Sequence, residues 1–198
     1  PDLNWDNPTV RAEVFAMMRW WLDKGIDGFR MDVINLIAKT PGLPDAPVVT
    51  DDRYQWGGQY FANGPRLLEF LHEMKQEVLA KYDMVSIGET PMVDTKEAAA
   101  LTNEETGPLN MVFQFEHMAL DSDPAGSSKW DVQPWKLVDL KRVMTRWQQD
   151  LEGKGWNSLY LSNHDQPRAL SRFGDDGQYR VESAKLLATF LHMLQGTP

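Results

Sequence analysis

Residues 26–34 read IDGFRMDVI, a run of apolar side chains interrupted by charged residues at positions 27, 30 and 32. This composition predicts a buried β-strand over Ile26–Ile34 that ends near Asp32. A helix is predicted directly before it, because Asn7-Pro8 suits a helix N-terminus and Gly25 suits a helix C-terminus. A helix that leads into a short buried strand is typical of proteins in which helices cover a parallel sheet.

The same alternation of helix and strand continues along the chain. Further helices are predicted over residues 65–82, 94–101, 137–151 and 180–194, and further strands over 84–87, 111–115 and 157–161. A break in the second strand is expected at Gly88-Glu89, and the Pro-, Gly- and Asp-rich stretches 40–64 and 121–134 are predicted to be loops. The fold class is therefore α/β, and its short apolar strands fit either half of a (β/α)8 barrel or part of an open doubly wound sheet.

Charge and composition exclude several classes of partner. The net charge of −9 argues against binding to nucleic acid and to an anionic membrane surface, both of which attract basic proteins. No apolar run approaches the roughly 20 residues that a membrane-spanning helix needs. The chain has no cysteine, which is compatible with a cytoplasmic location. We therefore expect no nucleic acid and no membrane among its partners.

Acidic residues follow three of the predicted strands. Asp32 ends the first, Glu89 follows the second, and Asp165 follows the fourth. In a parallel barrel the C-terminal ends of all strands lie on one face, which would bring these three side chains together. Carboxylates that lie close together raise one another's pKa, so a protein that gathers three of them is expected to use them in chemistry or to neutralise them.

Neighbouring residues suggest different roles for these acids. Arg30 lies two residues before Asp32, so both point to the same side of the strand and Arg30 can keep Asp32 ionised. Glu89 has no basic neighbour in the sequence, and a desolvated glutamic acid can serve as a general acid. His164, beside Asp165, is interpreted as a hydrogen-bond donor to a substrate hydroxyl. We expect no metal ion and no cofactor, because no second histidine lies at ligand spacing and cysteine is absent.

Four short segments carry a resemblance to a known family: PDLN at 1–4, GFRMDV at 28–33, IGE at 87–89 and NHD at 163–165. In this order they resemble motifs of the α-amylase family of glycoside hydrolases (glycoside hydrolase family 13). Within that family the chain is similar to oligo-1,6-glucosidases and dextran glucosidases. The likeness continues through residues 113–117, 156–160 and 171–174, and so covers essentially the whole chain.

The resemblance implies a retaining α-glucosidase. Asp32 would attack the anomeric carbon, and Arg30 would orient it. Glu89 would protonate the leaving oxygen and later deprotonate a water molecule. Asp165 and His164 would bind hydroxyls of the glucose ring and support the oxocarbenium-like transition state. In such enzymes the nucleophile and the acid lie roughly 5–5.5 Å apart.

Val33, directly after the nucleophile, bears on the linkage that is cleaved. Family members that prefer α-1,6 bonds often have valine there, which implies an exo-acting enzyme that releases glucose from isomalto-oligosaccharides. The expected partner is thus a small oligosaccharide. The alternatives are an α-1,4-glucosidase, a trehalose-6-phosphate hydrolase and a sucrose isomerase, whose arginine-rich loop motif is not evident. A non-catalytic relative of the transporter heavy subunits is disfavoured, because all three acids are present.

The resemblance also implies where the chain belongs in the catalytic domain. Residues 1–198 would form the central part of the (β/α)8 barrel, about strands 4 to 7 with their helices. The first strands, the inserted domain, the last strand, the C-terminal β-domain and most of the calcium sites would lie outside it. We therefore expect this stretch to be inactive by itself.

Overall fold

The computed structural model describes residues 2–122 and 133–198 and shows an α/β arrangement. The helices are α1 (Pro8–Asp23), α2 (Gly58–Phe61), α3 (Leu67–Glu77), α4 (Thr95–Thr102), α5 (Leu137–Leu151), α6 (Ala169–Phe173) and α7 (Arg180–Met193). The strands are β1 (Gly28–Met31), β2 (Val85–Glu89) and β3 (Met111–Phe113). Short 3-10 helices follow β1, α3 and β3, at Ile34–Leu36, Leu79–Lys81 and Glu116–Ala119.

The strands form a parallel sheet in the order β1-β2-β3. Arg30 of β1 lies opposite Ile87 of β2, so the C-terminal ends of these two strands are neighbours. The fourth predicted strand, 157–161, is reduced to two parallel bridges, Asn157 with Val112 and Ser158 with Thr197. The prediction of an α/β fold with parallel strands is confirmed. Beyond β3, the two bridges continue the parallel pairing as far as Thr197.

Several predicted boundaries were wrong where the backbone turns. The first strand begins at Gly28 and not at Ile26. It ends at Met31, near the predicted Asp32, because Val33 adopts a left-handed conformation (φ 34°, ψ 46°) that a strand cannot continue. The break predicted at Gly88-Glu89 is absent, since both residues belong to β2. The helix predicted over 65–82 is α3, which is shorter, and the strand predicted over 111–115 ends at residue 113. Apolar composition identified these elements without marking their ends.

Capping residues in the sequence correctly predicted where α1 and α4 begin. The side chain of Asn7 accepts a hydrogen bond of 2.9 Å from the backbone N–H of Thr9 at the start of α1. At the start of α4, the Asp94 side chain accepts from the backbone N–H of Glu97, and the Glu97 side chain accepts from that of Asp94. Of the predicted loops, 40–64 contains α2, and 121–134 lies largely outside the described residues.

One apolar core joins the helices to the sheet. It contains buried residues of α1, α3, α4 and α5 together with side chains of the strands. Trp147 of α5 and Phe70 of α3 are among its largest members, and each is 1% exposed. Burying side chains of this size stabilises the layer by roughly 1.5–3 kcal/mol each, which fixes the strand ends relative to one another. None of the helices in the described part of the chain combines the length and apolarity of a membrane span.

Gly28 allows β1 and β2 to pair closely. It has a φ of +152°, and a Cβ atom placed on it would lie 2.0 Å from the backbone oxygen of Val85. Any larger residue would both adopt an unfavourable conformation and push β1 away from β2. The close approach of these strands is what places the residues after them side by side.

We predict that Gly28→Ala, in the complete polypeptide to which the chain belongs, lowers the free energy of unfolding by about 3 kcal/mol or more, through backbone strain and steric overlap. Gly25→Ala is the matched control. Its φ is +92° and a Cβ atom added to it would have no other atom within 4 Å, so only strain of about 1 kcal/mol is expected. Denaturant unfolding measures both. Equal losses for the two variants would contradict the close-approach argument.

Candidate active site

Arg30 joins the two acids at the ends of β1 and β2. Its Nη1 donates a hydrogen bond to Oδ1 of Asp32, and its Nη2 lies 2.6 Å from Oε2 of Glu89. One planar guanidinium therefore bridges two carboxyl groups. The separate Nη1 and Nη2 groups of arginine make this possible. The pairing of β1 with β2 positions all three side chains at one edge of the sheet.

Glu89 is the more enclosed of the two acids. It is 5% exposed, whereas the side chain of Asp32 is 72% exposed. Besides Arg30, the backbone N–H of Val33 donates to Oε2 of Glu89 at 3.2 Å. Oε2 of Glu89 thus forms an ion pair with Arg30 and accepts a hydrogen bond from the Val33 N–H, and both contacts restrain the carboxyl group.

The backbone of Val33 is strained at this position. A φ of 34° lies in the left-handed region, where a β-branched residue is rarely found. Conformations of this kind cost of order 1–3 kcal/mol and persist where the surroundings hold them. The left-handed turn at Val33 changes the direction of the chain directly after Asp32 and points the N–H of Val33 towards Glu89.

Hydrogen bonding keeps Asp32 ionised. The hydrogen bond from Arg30 and a second one with Glu89 lower the pKa of Asp32, and the charges of Arg30 and His164 act in the same direction. Burial alone would lower the pKa of Arg30, but its hydrogen bond with Asp32 and the charges of Glu89, Asp32 and Asp165 raise it overall. Asp32 is thus suited to act as a nucleophile and Arg30 remains a cation.

His164 and Asp165 lie at the same edge. Nε2 of His164 is 3.1 Å from Oδ2 of Asp165, and Oδ1 of Asn163 accepts a 2.8 Å hydrogen bond from the backbone N–H of Asp165. Both side chains are more than half exposed. Their effects on the pKa values of Asp32 and Arg30 place them within electrostatic reach of those groups. The structure therefore brings together all the residues that the sequence predicted.

A cavity of about 430 Å³ adjoins these residues. Its lining includes Arg30, Glu89 and His164 as well as the aromatic residues Phe113 and Tyr160. The two rings are edge to face, with centroids 5.5 Å apart. The site is thus bounded by charged groups and by an apolar wall, as a pocket for a sugar ring would be. No local pattern in the sequence marks this wall.

A larger cavity of about 700 Å³ lies at the opposite end of the strands. It is lined by Ser86 near the start of β2 and by Asn110 just before β3, and within the described residues none of the predicted site residues borders it. We place the chemistry in the smaller cavity, because barrel enzymes react at the C-terminal ends of their strands and the paired carboxyl groups are there.

A buried polar layer supports the site and was not predicted from the sequence. His117 is 1% exposed, and burial lowers its pKa to about 4, so the ring is neutral. Its Nδ1 accepts from Nε2 of Gln114, and its Nε2 donates to the backbone oxygen of Tyr160, both at 2.7 Å. Arg172 and Asp121 form a buried ion pair nearby. Partners this far apart along the chain leave no local signal in a sequence.

Within residues 2–122 and 133–198, no group of three or more metal-binding side chains is arranged to hold an ion. Arg30 supplies one positive charge to two carboxyl groups, so their charges balance when one of the two is protonated, as in an acid–base pair. The arrangement can deliver a nucleophilic carboxylate to one atom of a substrate bond and a second carboxyl group to the other atom of that bond.

Known proteins are similar to this chain in sequence and in fold. Residues 1–198 match the family described as the catalytic domain of α-amylase. The chain is 66% identical to an oligo-1,6-glucosidase of Parageobacillus thermoglucosidasius and 58% identical to one of Bacillus cereus, over all of this chain and 35% of each relative. It also superposes on the crystal structure of a trehalose-6-phosphate hydrolase of Bacillus licheniformis with a TM-score of 0.90 and 46% identity, covering 100% of this chain and 34% of that one.

The chain thus spans about a third of the length of these relatives. Their likeness extends over every described element, including the strands that carry the acids. A match along the whole sequence, together with paired carboxyl groups at the ends of parallel strands, shows that the chain belongs to the α-amylase family.

Proposed function

We propose that the complete polypeptide is a retaining, exo-acting α-glucosidase that uses Asp32 as its nucleophile and Glu89 as its acid and base. The observation that carries this proposal is the guanidinium of Arg30, which contacts both carboxyl groups at adjacent strand ends. It holds one of them ionised and leaves the other enclosed, the asymmetry that a nucleophile and a general acid require.

In the first step, a carboxylate oxygen of Asp32 forms a bond to the anomeric carbon of the glucose unit. The bond from that carbon to the glycosidic oxygen breaks, and Glu89 gives its proton to the leaving oxygen. Since Oε2 of Glu89 forms the ion pair with Arg30 and accepts from the Val33 N–H, Oε1 is the atom that would carry this proton. The products are a glucosyl-enzyme ester and the shortened sugar.

In the second step, Glu89 takes a proton from a water molecule as its oxygen attacks the anomeric carbon. The ester bond to Asp32 breaks and glucose leaves with its configuration retained. The guanidinium of Arg30, which contacts Asp32 and Glu89 together, supports this route. Retaining enzymes hold their two carboxyl groups roughly 5–5.5 Å apart, a separation that one shared guanidinium can span, whereas inverting enzymes separate them by about 6.5–9.5 Å to place a water molecule between them.

Asp165 and His164 would act on the sugar ring. Both side chains are exposed beside the cavity and bonded to one another, so they can accept from and donate to neighbouring hydroxyls. A carboxylate near the anomeric carbon also stabilises the positive charge that develops there. Phe113 and Tyr160 would provide an apolar face for the ring.

The relatives support a small α-linked glucoside as substrate. The protein from Parageobacillus thermoglucosidasius is named an oligo-1,6-glucosidase, which favours α-1,6 bonds of isomalto-oligosaccharides for this chain. The structural match to a trehalose-6-phosphate hydrolase favours a phosphorylated disaccharide as the second candidate. We further propose a cytoplasmic location, which the absence of cysteine supports.

We propose that residues 1–198 are the central part of a catalytic (β/α)8 barrel. The apolar side chains of α7 support this, because Leu186 is 69% exposed and Met193 is 80% exposed. All residues of α7 are described, and none of them is buried. A helix that exposes such residues requires further protein to cover it, and β1 likewise pairs on one side within the described sheet.

We predict that the complete polypeptide releases glucose from isomaltose faster than from maltose, and that Asp32→Asn lowers both rates by at least about 1,000-fold, since the covalent step is lost. Release of glucose, followed with a coupled assay, measures this. Trehalose-6-phosphate is the third substrate tested. A preference for it would replace the isomaltose proposal with the second candidate, and full activity of Asp32→Asn would refute the mechanism.

We predict that Val33→Thr raises the ratio of maltose to isomaltose cleavage about 10-fold, a difference that one side-chain contact to the substrate can produce. Threonine is β-branched like valine, so the left-handed backbone at this position carries a similar strain in both. The ratio of kcat/KM values for the two sugars therefore reports the side chain alone. If the ratio is unchanged, Val33 packs without selecting the linkage.

A further inference from the structure

The segment 114–121, which follows β3, is bound tightly to the chain that leads into His164. The buried ring of His117 donates to the backbone oxygen of Tyr160 at 2.7 Å. The hydroxyl of Tyr160 in turn donates to the backbone oxygen of Gln114 at 2.8 Å. These bonds anchor the chain at residue 160, before the catalytic loop that we define as residues 161–165.

Arg172 of α6 forms a second anchor. Its side chain is 4% exposed and that of Asp121 is 1% exposed. Nε of Arg172 donates to Oδ2 of Asp121 at 2.5 Å, and Nη2 donates to the backbone oxygen of Met118 at 2.5 Å and to Oδ1 of Asp121. The guanidinium is therefore fixed in one orientation by the segment 114–121. Such a rigid donor can orient whatever accepts its remaining N–H groups.

The remaining nitrogen of Arg172 reaches Gln166, the residue directly after the catalytic loop. Nη1 of Arg172 donates to Oε1 of Gln166 at 2.8 Å, and it also lies 3.3 Å from the sulfur of Met118. Gln166 is bonded directly to Asp165 in the chain, and its backbone N–H donates to the backbone oxygen of Asn163 at 3.3 Å. The loop is thus held at residue 160 by His117 and at residue 166 by Arg172.

We propose that Gln166 and Arg172 are positioning residues that set the orientation of His164 and Asp165 towards Asp32 and Glu89. The proposal rests on the function proposed above and adds residues that contact no substrate. His164 and Asp165 are more than half exposed, so packing does little to hold their side chains. The two anchors fix the backbone on both sides of these residues, which restrains where their side chains point.

The test is Gln166→Leu in the complete polypeptide. This change removes the acceptor of Arg172 and leaves the buried pair with Asp121 in place. We expect kcat for isomaltose to fall about 10- to 100-fold while KM changes less, because displacing a catalytic group by roughly 1 Å costs about that factor. The melting temperature should stay close to that of the wild type. Gln166→Glu keeps an acceptor for Arg172 and should restore most of kcat.

Gln148→Leu is the matched control. Gln148 also bonds through its side-chain amide, to the backbone N–H and oxygen of Gln195, but at a position away from the acids. The Gln148→Leu substitution should leave kcat unchanged. Equal kcat values for Gln166→Leu and the wild type would overturn the proposal, as would an equal loss in Gln166→Leu and Gln166→Glu.

Hydrogen exchange separates this inference from the proposed function. If the wild type cleaves none of the sugars, the proposed function fails, and amide exchange of residues 161–165 still tests the anchor. Faster exchange there in Gln166→Leu than in Gln148→Leu supports the positioning role. Equal exchange in the two variants overturns it.

Discussion

The contact on which the site depends is the one between the guanidinium of Arg30 and the carboxyl groups of Asp32 and Glu89. Bringing two carboxylates together is unfavourable, and an arginine between them offsets the repulsion while leaving the two groups unequal. Asp32 is exposed and ionised, and Glu89 is enclosed. The parallel register of β1 and β2, which the close approach at Gly28 permits, is what places the three side chains together.

Strain and hydrogen bonding act together around this contact. The left-handed turn at Val33 ends the strand, keeps Asp32 at its tip and aims a backbone N–H at Glu89. On the other side, the buried pair of Arg172 and Asp121 fixes the chain that follows Asp165. Val33 lies directly after β1 and Asp121 lies in the segment after β3, while Arg172 belongs to α6. The rigid part of the fold thus carries the site, while the loops orient its groups.

The sequence predicted the elements and the acids better than the contacts between them. The α5 helix was predicted with its observed bounds, since its apolar spacing is regular, and local caps marked the starts of α1 and α4. The end of β1 was predicted near Asp32, but the left-handed turn at Val33 was not, because valine gives no signal for such a turn. A break was expected at Gly88-Glu89, whereas both residues belong to β2. Gly88 is glycine in this strand because Ile34 and Leu109 leave no space for a side chain there.

Asp121 and Arg172 are 51 residues apart, so their pairing depends on the tertiary fold and not on a local pattern. The central claim is that Asp32 becomes glucosylated. The direct test uses the complete polypeptide with the substitution Glu89→Gln, which is incubated with α-glucosyl fluoride and then analysed by mass spectrometry. The leaving fluoride needs no acid, whereas hydrolysis of the ester needs the missing base, so the account predicts a single glucosyl adduct on the peptide that contains Asp32. An adduct on another residue would contradict it, and so would the absence of any adduct while the wild type consumes the same compound.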